Sequence, residues 1–85
     1  MAELIHQHDG LVEDSAGVSY GALIYGAARE DGTWEGWIEF HPTEGTGSVL
    51  STERETTQPN REALVYWATG LETIYLEGAL GRARA

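Results

Sequence analysis

The sequence predicts an α+β domain in which a three-stranded antiparallel meander carries a helix on one face. Two observations predict this class. Residues 18–28 are apolar on both faces of a strand, residues 33–41 alternate with the period of a strand, and an Asp31-Gly32 turn separates the two segments. Further along, apolar side chains recur at steps of three and four, which is the period of a helix. They are Leu64, Trp67, Ala68, Leu71, Tyr75 and Ala79.

The N-terminal segment shows no sustained period. Residues 3–5 could open a strand and Leu11-Val12 could pack, but Asp9-Gly10 and Gly17 are turn signals. We expect residues 1–17 to form a weakly structured N-terminal arm. Residues 18–85 then form a single small α+β domain, which the chain length of 85 residues allows.

The first predicted strand, residues 18–28, is apolar on both faces, which is typical of a central strand. We expect Gly21 and Gly26 within it to leave room for large neighbours such as the nearby tryptophans. The second strand, residues 33–41, alternates cleanly. Its core face carries Trp34, Gly36, Ile38 and Phe40. Its other face should meet water or a partner, and it carries Glu35, Trp37, Glu39 and His41.

Turn formers over residues 42–47 predict a loop, and residues 48–55 predict a third strand whose charged end is typical of a sheet edge. A helix should follow over residues 59–69. Thr56 and Thr57 are suitable N-cap residues for it, and proline is tolerated in a first turn.

Gly70 leaves two interpretations open. It is either a tolerated glycine inside one long helix or the residue that ends a first helix. We favour the end of a helix there, with a second helical segment after Thr73. The rival is a strand over residues 71–76, because Ile74 and Tyr75 suit strands. Residues 81–85 are predicted to be a frayed tail.

The charge balance is unusual, with fourteen acidic residues against five basic ones and a net charge of −9. All five basic residues are arginines. Such a surface repels phosphate, which disfavours direct nucleic-acid binding, and it attracts basic partners. A domain this small also gains stability from a protein partner or from a homo-oligomer.

The composition also bears on location. The chain has no cysteine, which excludes disulfides and thiolate metal ligands. No apolar run approaches the about eighteen residues that a membrane span needs. The N-terminus has neither the basic region nor the apolar block of a signal peptide. We therefore expect a cytoplasmic protein without membrane contact.

Two polar groups have residue types that catalysis or metal binding uses. His6, His8 and Asp9 form an H-x-H-D cluster, but no third His or Cys lies nearby, so we interpret it as solvated.

Glu35, Glu39 and His41 share a strand face and offer acids and a base, although alternating acids are also the usual composition of a solvent-facing strand. The serines and glycines form no nucleophile elbow, phosphate loop or dinucleotide fingerprint. We therefore predict no catalytic residue, no metal ligand and no cofactor.

Trp37 is the most informative of these residues. A tryptophan on a polar strand face is typical of an interface anchor, unless another segment of the same chain covers it. The predicted interface is Trp37 with Glu35, Glu39 and His41.

The order of elements resembles the HicB-like family, small domains with a reduced ribonuclease-H-like fold. The likeness lies in YGALIY (20–25), EDGTW (30–34), GWIEF (36–40) and the helix entry T-x-P-x-x-x-A-L (57–64), and it spans about residues 18–69. The resemblance implies an antitoxin-like role, in which the domain neutralises a small basic RNA-cleaving toxin. Many members add a DNA-binding segment and have a compact Pro-Gly-Cys-type turn, and we expect neither here. Other small bacterial domains of the same outline match equally well.

The sequence thus predicts a non-enzymatic protein-interaction domain, in its sharpest form an antitoxin-like inhibitor of a basic partner. The alternative is a metal-dependent nuclease or another small hydrolase that uses clustered carboxylates. Its residues would be Asp31, Glu35, Glu39 and His41.

Overall fold

The computed structural model describes residues 1–45 and 47–85; Thr46, in the predicted loop over residues 42–47, lies outside them. The fold is α+β, as predicted, with an antiparallel sheet and both helices on one face. The strands are β1 (Glu3–Glu13), β2 (Ser19–Ala28), β3 (Trp34–Pro42), β4 (Leu50–Ser51) and β5 (Thr56–Gln58). The helices are α1 (Arg61–Thr69) and α2 (Thr73–Arg82).

The β2–β3 hairpin is the centre of the sheet. Its strands pair without a bulge over nine residue pairs, and Gly32 closes the turn with a φ of 89°. Asp31 Oδ1 accepts hydrogen bonds from the Thr33 backbone N at 3.0 Å and from its hydroxyl at 2.6 Å. The predicted strand, turn and strand are confirmed, and the regular register fixes which side chains of the two strands are neighbours.

The predicted N-terminal arm is wrong over residues 3–13, which form the edge strand β1, antiparallel to β2. Register shifts occur between Leu4 and His6 and between Gln7 and Leu11. Each shift changes which face of the sheet the following side chains occupy. Apolar and polar residues therefore do not alternate along the sequence of β1. The segment therefore belongs to the same sheet as the rest of the chain.

The predicted third strand over residues 48–55 is only partly right. After Leu50–Ser51, the buried Thr52 takes over the pairing with Ile38 of β3. Its hydroxyl accepts a hydrogen bond from Ile38 N at 3.1 Å, and its own N donates to Ile38 O at 2.9 Å. Because a side chain here replaces a ladder partner, the strand ends, and pairing with β3 resumes at Thr56–Gln58.

Helix α1 and its end at Gly70 are confirmed, but the predicted N-cap residues are wrong. Thr56 and Thr57 pair with β3, and Asn60 is the N-cap residue, since its Oδ1 accepts a hydrogen bond from Ala63 N at 2.8 Å. Gly70 is the C-cap residue, with a φ of −92°, so it ends the helix without a left-handed conformation.

Helix α2 confirms the second helical segment, and the rival strand over residues 71–76 is wrong. Its buried residues recur at helical spacing, which lets one face of the helix close the core; they are Leu76, Ala79 and Leu80. Within the described chain, no helix is long and apolar enough to cross a membrane.

The predicted frayed tail is also wrong. Backbone hydrogen bonds of 2.7 Å and 2.9 Å join Ser51 and Arg84, and Ala83 is buried. Arg84 thus extends the edge at β4 by one residue.

The core fills the space between the two helices and one face of the sheet, the inner face. Its strand residues alternate along β2 and β3 as predicted, and the members of the cluster are Val12, Tyr20, Ala22, Ile24, Ile38, Phe40, Ala68, Leu76, Ala79, Leu80 and Ala83. Both described helices pack on this side. The opposite side of the sheet, here called the outer face, is covered by neither.

Candidate functional site

The outer face collects all four predicted interface residues. Glu35, Trp37, Glu39 and His41 alternate along β3 with buried residues, and each is itself half-buried. The side chains of Glu35, Glu39 and His41 are 35%, 31% and 42% exposed, respectively. The alternation of a regular strand explains this placement.

An aromatic pair lies at the centre of the outer face. The hairpin register places Tyr25 of β2 directly opposite Trp37 of β3. The two rings are stacked, with centroids 6.4 Å apart and planes inclined by 17°. Such a pair contributes about 0.5–1.5 kcal/mol beyond the area that it buries. The rings therefore form one ordered platform.

Apolar residues continue this platform across the sheet. Leu4 of β1 lies opposite Tyr25, so that Leu4, Tyr25 and Trp37 form one cross-strand row. In the neighbouring rows, Leu23 lies opposite Glu39, and Leu11 lies opposite Gly21. Leu4 and Leu11 are 48% and 59% exposed. The outer face is thus a continuous surface with an apolar side and an acidic side.

Sequence reasoning missed the contribution of Leu4, Leu11, Leu23 and Tyr25 to this site. The alternation of β2 places Leu23 and Tyr25 on its second face, but only the turn register shows that they adjoin the β3 acids. For β1 no signal was present, because its register shifts hide the period.

Each carboxylate of the outer face lies near one basic side chain of the same chain. Glu39 Oε1 lies 3.1 Å from His41 Nε2, and Glu35 Oε1 lies 4.0 Å from Arg54 Nη1. Both pairs are partly exposed to solvent, and ion pairs near the surface contribute about 0–1 kcal/mol to stability. Both carboxylates are therefore accessible to a further cation.

The alternative site for metal-assisted hydrolysis is not assembled. Glu35 and Glu39 are four residues apart on one strand, about 13 Å, which is too far for one metal ion. Asp31 is engaged in the hairpin turn, where hydrogen bonds from the Thr33 side chain and backbone lower its pKa below the usual range. Among residues 1–45 and 47–85, no three His, Asp or Glu side chains are placed to hold a metal ion.

The H-x-H-D segment lies at the irregular part of β1. His6 is paired opposite Ile24, whereas His8 and Asp9 fall in the interval where the register shifts. The described residues do not bring a third ligand to them.

The outer face is suited to binding by contact. It combines a stacked aromatic pair, apolar neighbours and accessible carboxylates, and none of its described residues is a nucleophile held by a base. Comparison of the chain with protein-family models, curated proteins and solved structures finds no match. The function is therefore argued from the geometry of this face.

Proposed function

We propose that this protein is a non-enzymatic interaction domain whose outer face binds a basic protein partner. The observation that carries the proposal is the stacked Tyr25–Trp37 pair on a sheet face that neither described helix covers. Tryptophan and tyrosine are enriched among the residues that contribute most to protein association, and they act in pockets that exclude water. A partner that covers the outer face would bury both rings.

The charges of the outer face favour a basic partner. Glu35 and Glu39 lie on either side of Trp37, and the net charge of the whole chain is −9. A homodimer formed through this face would bring the carboxylates of both copies together, which costs free energy. A basic partner would instead be attracted over a distance, so its association rate should fall as salt is added.

The sharpest form of the proposal is an antitoxin-like inhibitor in the cytoplasm that covers a small basic ribonuclease. The HicB-like resemblance of residues 18–69 supports this form, because toxins of that kind are basic. Inhibition by coverage needs a broad contact surface and no catalytic group, which fits a sheet face with an aromatic centre.

The test is a reconstituted complex of known stoichiometry. The protein is used to capture partners from a nuclease-treated lysate of its own host, and a recovered basic protein is then purified and titrated back. We expect a defined complex that Trp37→Ala weakens by roughly thirty-fold, since truncating a central anchor costs about 2 kcal/mol or more. Tyr66→Ala is the matched control, because Tyr66 on α1 is 84% exposed and lies on the helix layer.

Each result has a defined meaning. Loss of binding in Trp37→Ala, with an unchanged melting temperature and with binding intact in Tyr66→Ala, supports the proposal. Equal affinity of wild type and Trp37→Ala for the purified partner overturns it, because the aromatic pair then has no part in binding. Recovery of the chain only with itself, and a Trp37-dependent dimer by sedimentation, overturns the choice of a basic partner.

A further inference from the structure

We infer that the outer face recognises an arginine side chain of its partner, held over Trp37 between Glu35 and Glu39. This inference rests on the proposed function and specifies the chemistry of the contact. Alternate residues of a strand are about 7 Å apart, so a carboxylate flanks the indole on each side. A guanidinium group is planar, stacks on aromatic rings and donates hydrogen bonds to carboxylates through a rigid fork.

Trp37 has Tyr25 as its neighbour on one side and the chain between β4 and β5, which donates hydrogen bonds to Ile38 and Gly36, on the other. Tyr25 lies beside it on β2, whereas β4 ends its pairing with β3 at Glu39 and β5 begins at Gly36. The chain between these strands passes Trp37 as a loop, in which Arg54 is exposed. The ring is half-buried, so a side chain from a partner would reach the part of it that is exposed on the outer face.

Elsewhere, this protein already holds one of its own arginines against a carboxylate and an aromatic ring. Arg82 lies 2.5 Å from Glu55 Oε1, and its guanidinium carbon is 5.9 Å from the centre of the Tyr75 ring. One carboxylate and one ring thus hold a guanidinium group within this chain. The outer face offers a larger ring and two carboxylates, and no arginine of the described chain is stacked on Trp37.

Arg54 of this chain already approaches a carboxylate of the outer face. Its Nη1 is 4.0 Å from Glu35 Oε1, so it approaches the carboxylate without forming a close hydrogen bond. Its side chain remains 52% exposed. A partner arginine with better geometry would replace this contact at little cost, because an exposed pair of this kind contributes little stability.

The experiment titrates ¹⁵N-labelled protein with three peptides of equal length: tri-arginine, tri-lysine and tri-citrulline amides. The indole N–H signal of Trp37, identified by its loss in Trp37→Leu, is the readout. We expect tri-arginine to bind roughly two- to five-fold more tightly than tri-lysine, the factor that about 0.5–1 kcal/mol of cation–π energy provides. Tri-citrulline, which is planar but neutral, should not bind measurably.

Two variants that each remove one negative charge test where the peptide binds. Glu39→Gln should weaken tri-arginine binding and reduce the preference over tri-lysine, whereas Glu62→Gln on the helix layer has the same change of charge and should do neither. Equal binding of the arginine and lysine peptides overturns the inference, as does an effect of Glu62→Gln equal to that of Glu39→Gln. In that case a Trp37-dependent complex with the basic protein still stands. The reverse result, an arginine preference at Trp37 without any such complex, overturns the proposed function alone.

Discussion

Gly26 of β2 and Gly36 of β3 lie directly opposite each other on the inner face, and Leu64 of α1 fills the space above the pair. A Cβ atom on Gly36 would lie 2.8 Å from Leu64 Cδ1. One on Gly26 would overlap Leu64 Cδ2 and come within 3.1 Å of the Glu35 carbonyl oxygen. The two glycines therefore set how closely the helix approaches the sheet. The prediction that Gly21 and Gly26 leave room for tryptophans is wrong, since a Cβ on Gly21 meets nothing within 4 Å and the atoms nearest to one on Gly26 belong to Leu64, Glu35 and Ile5.

Gly26→Ala should lower the free energy of unfolding by about 1–3 kcal/mol, because the added methyl group meets both a buried side chain and the backbone. Gly21→Ala on the same strand is the control. A Cβ there meets nothing within 4 Å, and the substitution should be neutral or stabilise by up to about 1 kcal/mol. Urea unfolding of both variants measures the difference. Equal stabilities would show that α1 moves away from the sheet without cost.

Thr52→Val should destabilise the fold by about 1–3 kcal/mol although the shape of the side chain is kept. Thr52 is 6% exposed, and the backbone N–H of Ile38 loses its acceptor when the hydroxyl is removed. The exposed Thr57 of β5 gives the control, since Thr57→Val should stay within about 0.5 kcal/mol. Chemical denaturation of the two variants is the measurement. A neutral Thr52→Val would mean that β3 finds another partner at this position.

The ion pair between Glu3 and Arg61 should make the attachment of β1 to α1 sensitive to acid. A hydrogen bond from the Arg61 side chain lowers the pKa of Glu3 below its ordinary value of 4.5. A group with a lowered pKa stabilises the fold above the unfolded value, and this contribution is lost as the pH falls through the folded value. Wild type should therefore melt higher than Glu3→Gln near neutral pH, and the difference should shrink as the pH falls below 4.5 towards the lowered folded value.

Glu53→Gln controls for the change of net charge, because Glu53 is exposed on the loop after β4. Thermal melts across the acid range compare the three proteins. If Glu53→Gln reproduces the effect of Glu3→Gln, then general repulsion, and not the contact with Arg61, explains the acid sensitivity.

Divalent metal ions should leave the melting temperature unchanged. Binding to the folded state alone raises stability, by about 2.7 kcal/mol when the ligand is at one hundred times its Kd. The separation of Glu35 and Glu39 along β3 leaves no shared site for such binding. Melts with Mn²⁺ or Mg²⁺ and with chelator measure this. A clear upward shift that Glu35→Gln and Glu39→Gln abolish would instead favour the hydrolase alternative.

The central hairpin and the two helices were predictable because their signals are local. Asp31-Gly32 has the turn chemistry that a tight connection needs, and the strands beside it alternate without a bulge. The candidate site was predictable to the same extent. Alternation along β3 alone places Trp37 between Glu35 and Glu39 on the face that lacks core residues.

The edges of the sheet were not predictable, because contacts distant in sequence decide them. β1 pairs with β2 despite two register shifts, and Arg84 pairs with Ser51. Thr52 reads as an ordinary strand residue, yet its side chain ends β4 by replacing a ladder partner of Ile38. Asn60, and not a threonine, caps α1 because the preceding residues are already paired with β3.

Local patterns along the chain were enough to predict the fold class, the hairpin, the helical segments and the acidic face of β3, since each depends on turn chemistry or on the periods of strands and helices. Contacts in the folded protein were needed to show that Tyr25 stacks on Trp37, that Leu4 continues their row, and that both described helices pack on the other side. Register between strands and the choice of packed face come from contacts between distant segments, and no local pattern encodes them. The outer face became a single surface through those contacts.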